Sequence, residues 1–397
     1  MQNNLTDFVC AAAAANHSPL ACDRCEFFNP PPLVVENEQP PQSKLLEVAE
    51  WSPTTAWFTC LTAPRDDTSS RHADYVRAAV LSARLHAPSL APHVILLGAD
   101  GFGSAFEASL RAAGATPVRH ERLSFEGRIP EKKRQRTRDV GTRHLNLGAW
   151  CRLDVPRIVR SLDADLRRRG LDPSVVLYTD TDVLFAGDVP KRDLPPLSGY
   201  AFAGGLELFS PHKKSSSLNT GVMLIDVARF ESELPGMLEY AERQKFRFKT
   251  LDQALIQEWF STAPRFRGQR AKLPGWANLR DDLFNGRAFI HPRKRADEPP
   301  RMWHWHGYKP EDVQCWLDAM RDGTWPKRSW REQGGDACYV TTKAGNRILR
   351  GACKMKPIID SPCRYLGRIE PGHCFLRTYT YLLAQHRALL AWGRSAS

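Results

Sequence analysis

The chain has 397 residues, 42% of them hydrophobic and 25% charged, with a formal net charge of +12. That length suits one large catalytic domain with extensions, or two domains, and the composition is that of an ordinary folded globular protein. No run of about 18 uninterrupted apolar residues occurs, so no transmembrane segment is expected. The basic balance favours anionic partners such as nucleotide diphosphates, membranes or acidic glycans. No zinc finger, RNA-recognition signature or heptad-bearing basic region accompanies it, so no nucleic acid is expected as a partner.

Residues 1–50 carry Asn29-Pro30-Pro31-Pro32 and Pro40-Pro41 and read as an irregular leader or linker. The short run Cys10 to Ala15 lacks a basic flank and makes a poor signal peptide. Two compartments stay open: a Golgi or secretory lumen if an anchor has been lost, otherwise the cytoplasm. The sequons at Asn4 and Asn16 do not decide between them. Nor do the cysteines: Cys338, Cys353, Cys363 and Cys374 fit either disulfides or free thiols, and Cys22-x-x-Cys25 lacks a paired zinc-ligand spacing.

Ala56 to Leu61 reads as a first strand. Arg71 to His86 reads as a helix, with Tyr75, Val76, Ala79, Val80 and Ala83 on one face. Val94 to Leu97 is a short buried strand stopped by Gly98. Phe102 to Ala113 is a second helix, closed by Gly114, and Thr116 begins a third strand. This alternation predicts a parallel sheet with ligands beyond the carboxyl ends of its strands. Residues 119–145 are polar and basic and read as a mobile loop over the cleft. Trp150 to Leu166 reads as one helix with Pro156 early in it. Gly221 to Asp226 is a further strand entered through Asn219-Thr220, and Leu251 to Phe260 a helix with Asp252 near its start. We place a catalytic domain at 51–325 and an extension at 326–397, the latter ending in an amphipathic helix with Phe375, Tyr379, Leu382, His386, Leu389 and Leu390 on one side.

The most telling segment is Val175-Val176-Leu177-Tyr178-Thr179-Asp180-Thr181-Asp182-Val183-Leu184-Phe185. An apolar strand runs into two carboxylates at i and i+2, which an extended backbone projects to one face. Asp180 and Asp182 are thereby candidate ligands for one hard cation, Mn²⁺ or Mg²⁺. Strand-end capping is the plainer use of such a pair, and Asp163-Ala164-Asp165 is read as a chance copy of the spacing.

Seven features recur in order: Thr59-Cys60-Leu61-Thr62; Asp74-Tyr75-Val76; Gly148-Ala149-Trp150-Cys151-Arg152-Leu153 before the acidic strand; Leu218-Asn219-Thr220-Gly221; Leu251-Asp252-Gln253; Leu273-Pro274-Gly275-Trp276-Ala277-Asn278; and His304-Trp305-His306-Gly307-Tyr308-Lys309-Pro310. Over roughly residues 55–310 this order resembles the family 8 glycosyltransferases. The resemblance implies an α/β fold of the GT-A type: a Rossmann-like nucleotide-diphospho-sugar transferase domain with a mixed, mainly parallel sheet. It implies a UDP-sugar donor and transfer with retention to a glycan, protein or lipid acceptor that the sequence does not name.

Residue by residue, the resemblance makes Asp180 and Asp182 metal ligands. The family draws a third ligand from His-x-x-Gly-x-x-Lys-Pro. Here His304-x-x-Gly307 matches, but only Tyr308 separates Gly307 from Lys309, so His304 and His306 both stand as candidates. Lys309 would meet the diphosphate and Arg152 the donor phosphate or sugar, with Gly307, Thr181 and Asp180 also in the donor site. Asn219 and Gly221 match a turn whose backbone approaches the sugar. Asp252 and Gln253 match the acid–amide pair that binds sugar hydroxyls, and Thr62 and Tyr75 positions near the uracil base. In an inverting relative, Asp252 or Asp226 would instead be the general base. Two other readings use the same residues: a nucleotide-sugar or glycan-binding protein that has lost catalysis, and, on net charge alone, a basic nucleic-acid-associated protein.

Overall fold

Every residue of the run Thr55 to Leu61 is buried, the mark of a strand covered on both faces. It forms most of β1 (Thr55–Thr62). The computed structural model describes residues 52–63, 70–130, 144–206, 218–248, 250–262, 276–279, 281–286, 300–305, 310, 314, 339–341, 347–349 and 375–395. The leader, the sequons, Cys22, Cys25 and the four late cysteines lie outside the described residues.

In chain order β1 is followed by α1 (Ser70–His86), β2 (Leu90–Leu97), α2 (Ser104–Ala112), β3 (Thr116–His120), α3 (His144–Trp150), α4 (Val155–Arg168), β4 (Val175–Thr179), β5 (Val183–Phe185), β6 (Phe202–Leu206) and β7 (Leu218–Asp226). Then come α5 (Val227–Arg243), α6 (Leu251–Thr262), β8 (Ala277–Asn278), α7 (Asp281–Phe284), β9 (Met302–His304), β10 (Tyr339–Thr341), β11 (Arg347–Leu349) and α8 (Phe375–Ser395). Seven strands form one sheet in the order β3-β2-β1-β4-β7-β6-β8. β1 to β4 are mutually parallel neighbours within it, as are β6 and β8. β7 runs against both β4 and β6. The sheet is therefore mixed and mainly parallel.

Side-chain alternation divides the strands between two apolar layers. Ala56, Phe58, Ile95, Val176 and Tyr178 belong to one layer, and Trp57, Leu61, Val94, Leu96 and Leu177 to the other. β5 and β9 leave this sheet and pair antiparallel with each other.

Three expectations change. The helix foreseen over Trp150 to Leu166 is broken: α3 stops at Trp150, a 3₁₀ turn covers Cys151–Leu153, and α4 starts at Val155 with Pro156 in its first turn. Proline lacks an N–H and is best tolerated where a helix begins, as Pro156 is here, and Arg152 lies in the turn before it. Phe102 itself precedes α2, which starts at Ser104 after a 3₁₀ turn at Ala99–Gly101. Gly98 enters that turn at φ +76°, a left-handed conformation suited to glycine. Finally, part of the loop expected over 119–145 is core, because Leu123, Phe125 and Ile129 are buried; residues 131–143 lie outside the described residues.

Two compact units emerge. Of the described residues, the larger contains β1 to β9, α1 to α7 and the last turns of α8 from Leu389. The smaller contains Trp305, the β10–β11 pair and Phe375–Ala388 of α8, and in it Trp305 meets His386 edge-on at 6.5 Å. Among the described residues no helix is long and apolar enough to cross a membrane.

Candidate functional site

The acidic segment sits where the chain leaves one sheet for another. β4 ends at Thr179, β5 begins at Val183, and Asp180, Thr181 and Asp182 lie between them outside either strand, with a bend at Thr181–Asp182. The carboxylates thus converge by chain bending and not by the extended alternation expected from their spacing. The bend is pinned: the Asp180 N–H donates to the Gly221 carbonyl at 2.8 Å. The Thr179 hydroxyl donates to the Asp180 carbonyl at 3.0 Å and accepts from Trp57 Nε1 at 2.9 Å. Thr181, half-buried, sits between the two acids.

His304 closes β9, and its pairing partner is Val183, the residue after Asp182. Register alone therefore delivers the imidazole to the acids. Its Nε2 lies 3.5 Å from Asp182 Oδ1 and 3.8 Å from Asp180 Oδ2. Both gaps exceed ordinary hydrogen-bond length, and one ligating atom from each residue lies within 4.8 Å of the others. Two carboxylates and an imidazole are a donor set for a divalent cation. Asp182 and His304 are buried while Asp180 is partly exposed. His306, Gly307 and Lys309 lie outside the described residues.

Gly221 has a use that its sequence context did not announce. A Cβ built there would fall 2.1 Å from His304 Cε1. The glycine makes room for the histidine ring, and it lies within strand β7 and not in a turn. Asn219, also in β7, accepts from the Gly221 N–H at 3.1 Å.

Arg152 organises the other side of the site. Only 4% exposed, it donates from Nη2 to Asp180 Oδ1 at 2.8 Å, from Nη1 to the Thr220 carbonyl and from Nε to the Ala149 carbonyl at 3.0 Å. Its Nε also lies 2.7 Å from Asp252 Oδ2, an ion pair off the donor axis. Its carbon Cζ stands 5.3 Å from the centre of the Tyr178 ring. Burial works against the guanidinium charge, but Asp180 and Asp252 outweigh it and hold the pKa above the ordinary value. Burial pushes the Asp252 carboxyl up to about 7, opposed by Arg152 and reinforced by Asp180. Gln253 Oε1 is 3.4 Å from both Asn219 Nδ2 and the Thr220 N–H.

Asp180, Asp182, His304, Arg152, Asp252, Gln253, Asn219 and Gly221 thus form one connected constellation. Thr62 ends β1, and a Cβ at Gly148 would reach its hydroxyl at 2.7 Å. Tyr75 is buried on α1, edge-on to His72 at 5.2 Å. Asp226 pairs with Val175 at the amino end of β4 and caps α5 through the Arg229 N–H, away from the acidic bend. Sequence reading missed Asn285, which hydrogen-bonds both Asn219 and His304. Asn285-Gly286 reads locally as a turn dipeptide, and nothing in its immediate sequence distinguishes it from one.

The strand order makes this a mixed, mainly parallel α/β fold, with the acidic bend beyond β4 and the histidine returned beside it by β9. No protein-family model matches the chain. Glycosyltransferase GlyF of Streptococcus pneumoniae serotype 4 is 23% identical over 201 residues, which is 48% of this chain and 44% of that protein. The chain therefore spans less than half the length of the curated relative it matches. Among solved structures, galactosyltransferase LgtC in complex with donor and acceptor sugar analogues matches 69% of this chain and 98% of its own, at 18% identity and a TM-score of 0.46. Glycosyltransferase GlyE of Streptococcus pneumoniae TIGR4 matches 65% of this chain and 56% of its own, at 14% identity and a TM-score of 0.41. In sequence the chain resembles a glycosyltransferase.

Proposed function

We propose that the chain is a metal-dependent glycosyltransferase that moves a sugar from a nucleotide diphosphate donor, a UDP-sugar, to an acceptor hydroxyl with retention. The observation that carries this reading is the convergence of Asp180, Asp182 and His304 beyond the carboxyl end of β4, where open α/β sheets bind ligands. The likeness to GlyF supports sugar transfer.

Asp180 and Asp252 share a single buried guanidinium, and Asp182 stands beside Asp180 and His304 without contacting it. That excess of negative charge suits a divalent cation, and the imidazole in the donor set favours Mn²⁺ over Mg²⁺. When bound, the cation supplies Lewis-acid stabilisation of the charge that develops on the leaving diphosphate. Asp180, Asp182 and His304 hold it. Arg152 fixes Asp180 and Asp252 in relation to each other, and its terminal nitrogens, each with two N–H groups, suit the donor phosphate or sugar as well. Asp252 and Gln253 are the acid–amide pair for sugar hydroxyls, and Asn219 braces Gln253. Gln253, where a double-displacement nucleophile would stand, is an amide and a poor nucleophile, so retention fits front-side attack through an ion-pair-like transition state stabilised by fixed charges.

The test is a screen of UDP-, GDP- and ADP-sugars for hydrolysis with and without Mn²⁺, with the anomeric outcome of any transfer read by NMR. Release of UDP that needs Mn²⁺ and stops with EDTA is expected. Failure of every nucleotide sugar to bind or turn over in the presence of Mn²⁺ would sink the proposal.

A further inference from the structure

Asn285 follows α7 and is 1% exposed. Its Nδ2 donates to Asn219 Oδ1 at 2.8 Å, and its Oδ1 lies 2.9 Å from His304 Nδ1. A backbone group dictates this arrangement. The Gly221 N–H can only donate, and it donates to the Asn219 side chain at 3.1 Å, so the atom it meets is the amide oxygen. An oxygen requires a donor from Asn285, which must therefore turn its NH₂ toward Asn219. The other end of the Asn285 amide, an acceptor, is left facing His304. Nδ1 must then carry the imidazole proton, because two acceptors 2.9 Å apart would repel. In the neutral ring Nε2 is then the nitrogen with the lone pair, on the side of Asp180 and Asp182.

We infer that Asn285 is a positioning residue that locks His304 as the Nδ1-protonated tautomer and so readies Nε2 to ligate a divalent cation. The inference rests on the metal reading of the site. It adds a residue outside the recognised motifs, and it ties the candidate metal ligand to Asn219 through one amide. A side chain at this position has to accept on one side and donate on the other. Asparagine does both without carrying charge into a buried site.

The tautomer can be read without metal. In the full chain, labelled with ¹⁵N-histidine and treated with EDTA at mildly alkaline pH, His304 resonances are assigned by their loss in His304→Gln. The lock predicts a pyrrole-like Nδ1 and a pyridine-like Nε2; an Nε2-protonated ring, or a mixture of tautomers, would overturn it. Titration with Mn²⁺ alone then compares wild type with Asn285→Leu, and with Asn285→Ala should the leucine variant not fold. Mn²⁺ affinity should fall by about 10–100-fold, with both tautomers appearing in the spectrum. Wild-type affinity in a folded variant would refute the role. A wild-type chain that bound no Mn²⁺ would count against the metal reading, while the metal-free spectrum would still decide the tautomer.

Discussion

Adding one methyl group at Gly221 should disable the histidine without touching it chemically. In Gly221→Ala the new Cβ would stand 2.1 Å from Cε1, 2.9 Å from Nδ1 and 3.0 Å from Nε2 of His304. Carbon atoms rest at about 3.5 Å, so the ring must retreat by about 1.4 Å. It is not free to do so. Nδ1 is held by Asn285, the His304 N–H donates to the Gly286 carbonyl at 2.8 Å, and β9 is registered against β5. The overpacking should cost about 1–3 kcal/mol of stability. Metal sites tolerate errors of about 0.2 Å in ligand distance, so a shift of that size removes the ligand outright, and Mn²⁺ affinity should fall by at least about tenfold. Calorimetric titration with Mn²⁺ and urea unfolding read the two effects. A double-mutant cycle with His304→Ala isolates the clash: the stability cost of the alanine should largely vanish once the ring is gone. Wild-type Mn²⁺ affinity in Gly221→Ala, or an unchanged cost in the His304→Ala background, would refute the reasoning.

Three further outcomes are expected. Arg152→Met leaves Asp252 buried beside Asp180 without its cation and should cost about 3–5 kcal/mol in urea unfolding; Arg152→Lys should not restore it, since a single ammonium nitrogen cannot span partners that the planar guanidinium reaches from three separate nitrogens, and a loss below about 1 kcal/mol would contradict the ion-pair account. Asp182→Asn keeps the side-chain shape but gives up its charge, so metal-dependent donor turnover should drop by at least about 100-fold while the unfolding midpoint barely moves. In metal-free protein, Asp252 titrates at about 7 when folded against an ordinary 3.8, so the folded chain keeps a proton that the unfolded chain has lost; the stability this contributes is full below about pH 4 and lost as pH rises through about 7. His93, pushed down to about 4 by burial and by Arg169, acts with the opposite sign, its contribution present above about 6.5 and lost on acidification. The difference in urea stability between wild type and Asp252→Asn isolates the aspartate; it should shrink from pH 4 to 7, and a flat difference would exclude the shift.

Local runs were readable and long-range pairings were not. β1, β2 and β4 are continuous apolar stretches because both of their faces are covered, and such runs stand out in sequence. The reversed direction of β7 left no local trace, since strand direction is decided by partners distant in the chain; the mixed character of the sheet came only through family resemblance. Asp180 and Asp182 were visible as a pair, yet their meeting depends on the bend between β4 and β5. Arg152 looked like one face of a long helix, and the turn at Cys151–Leu153 that holds it comes just before Pro156 in the first turn of α4. Gly221 and Asn285 were the hardest to read. The first stood out in its motif, but the space it leaves is defined by a ring supplied from β9; the second depends on two partners on different strands and has no signature within its own neighbourhood.

The departure of β5 from the main sheet has a mechanical consequence. Asp180 hangs from the end of the large-sheet strand β4, while Asp182 leads directly into the small β5–β9 ribbon that carries the imidazole. An ion gripped by all three would act as a rivet between separate layers, resisting any thermal opening that peels the ribbon away. At a hundred times its dissociation constant, such a rivet would add about 2.7 kcal/mol to the folded state, making occupancy of this seam visible as a rise in melting temperature before any sugar is offered.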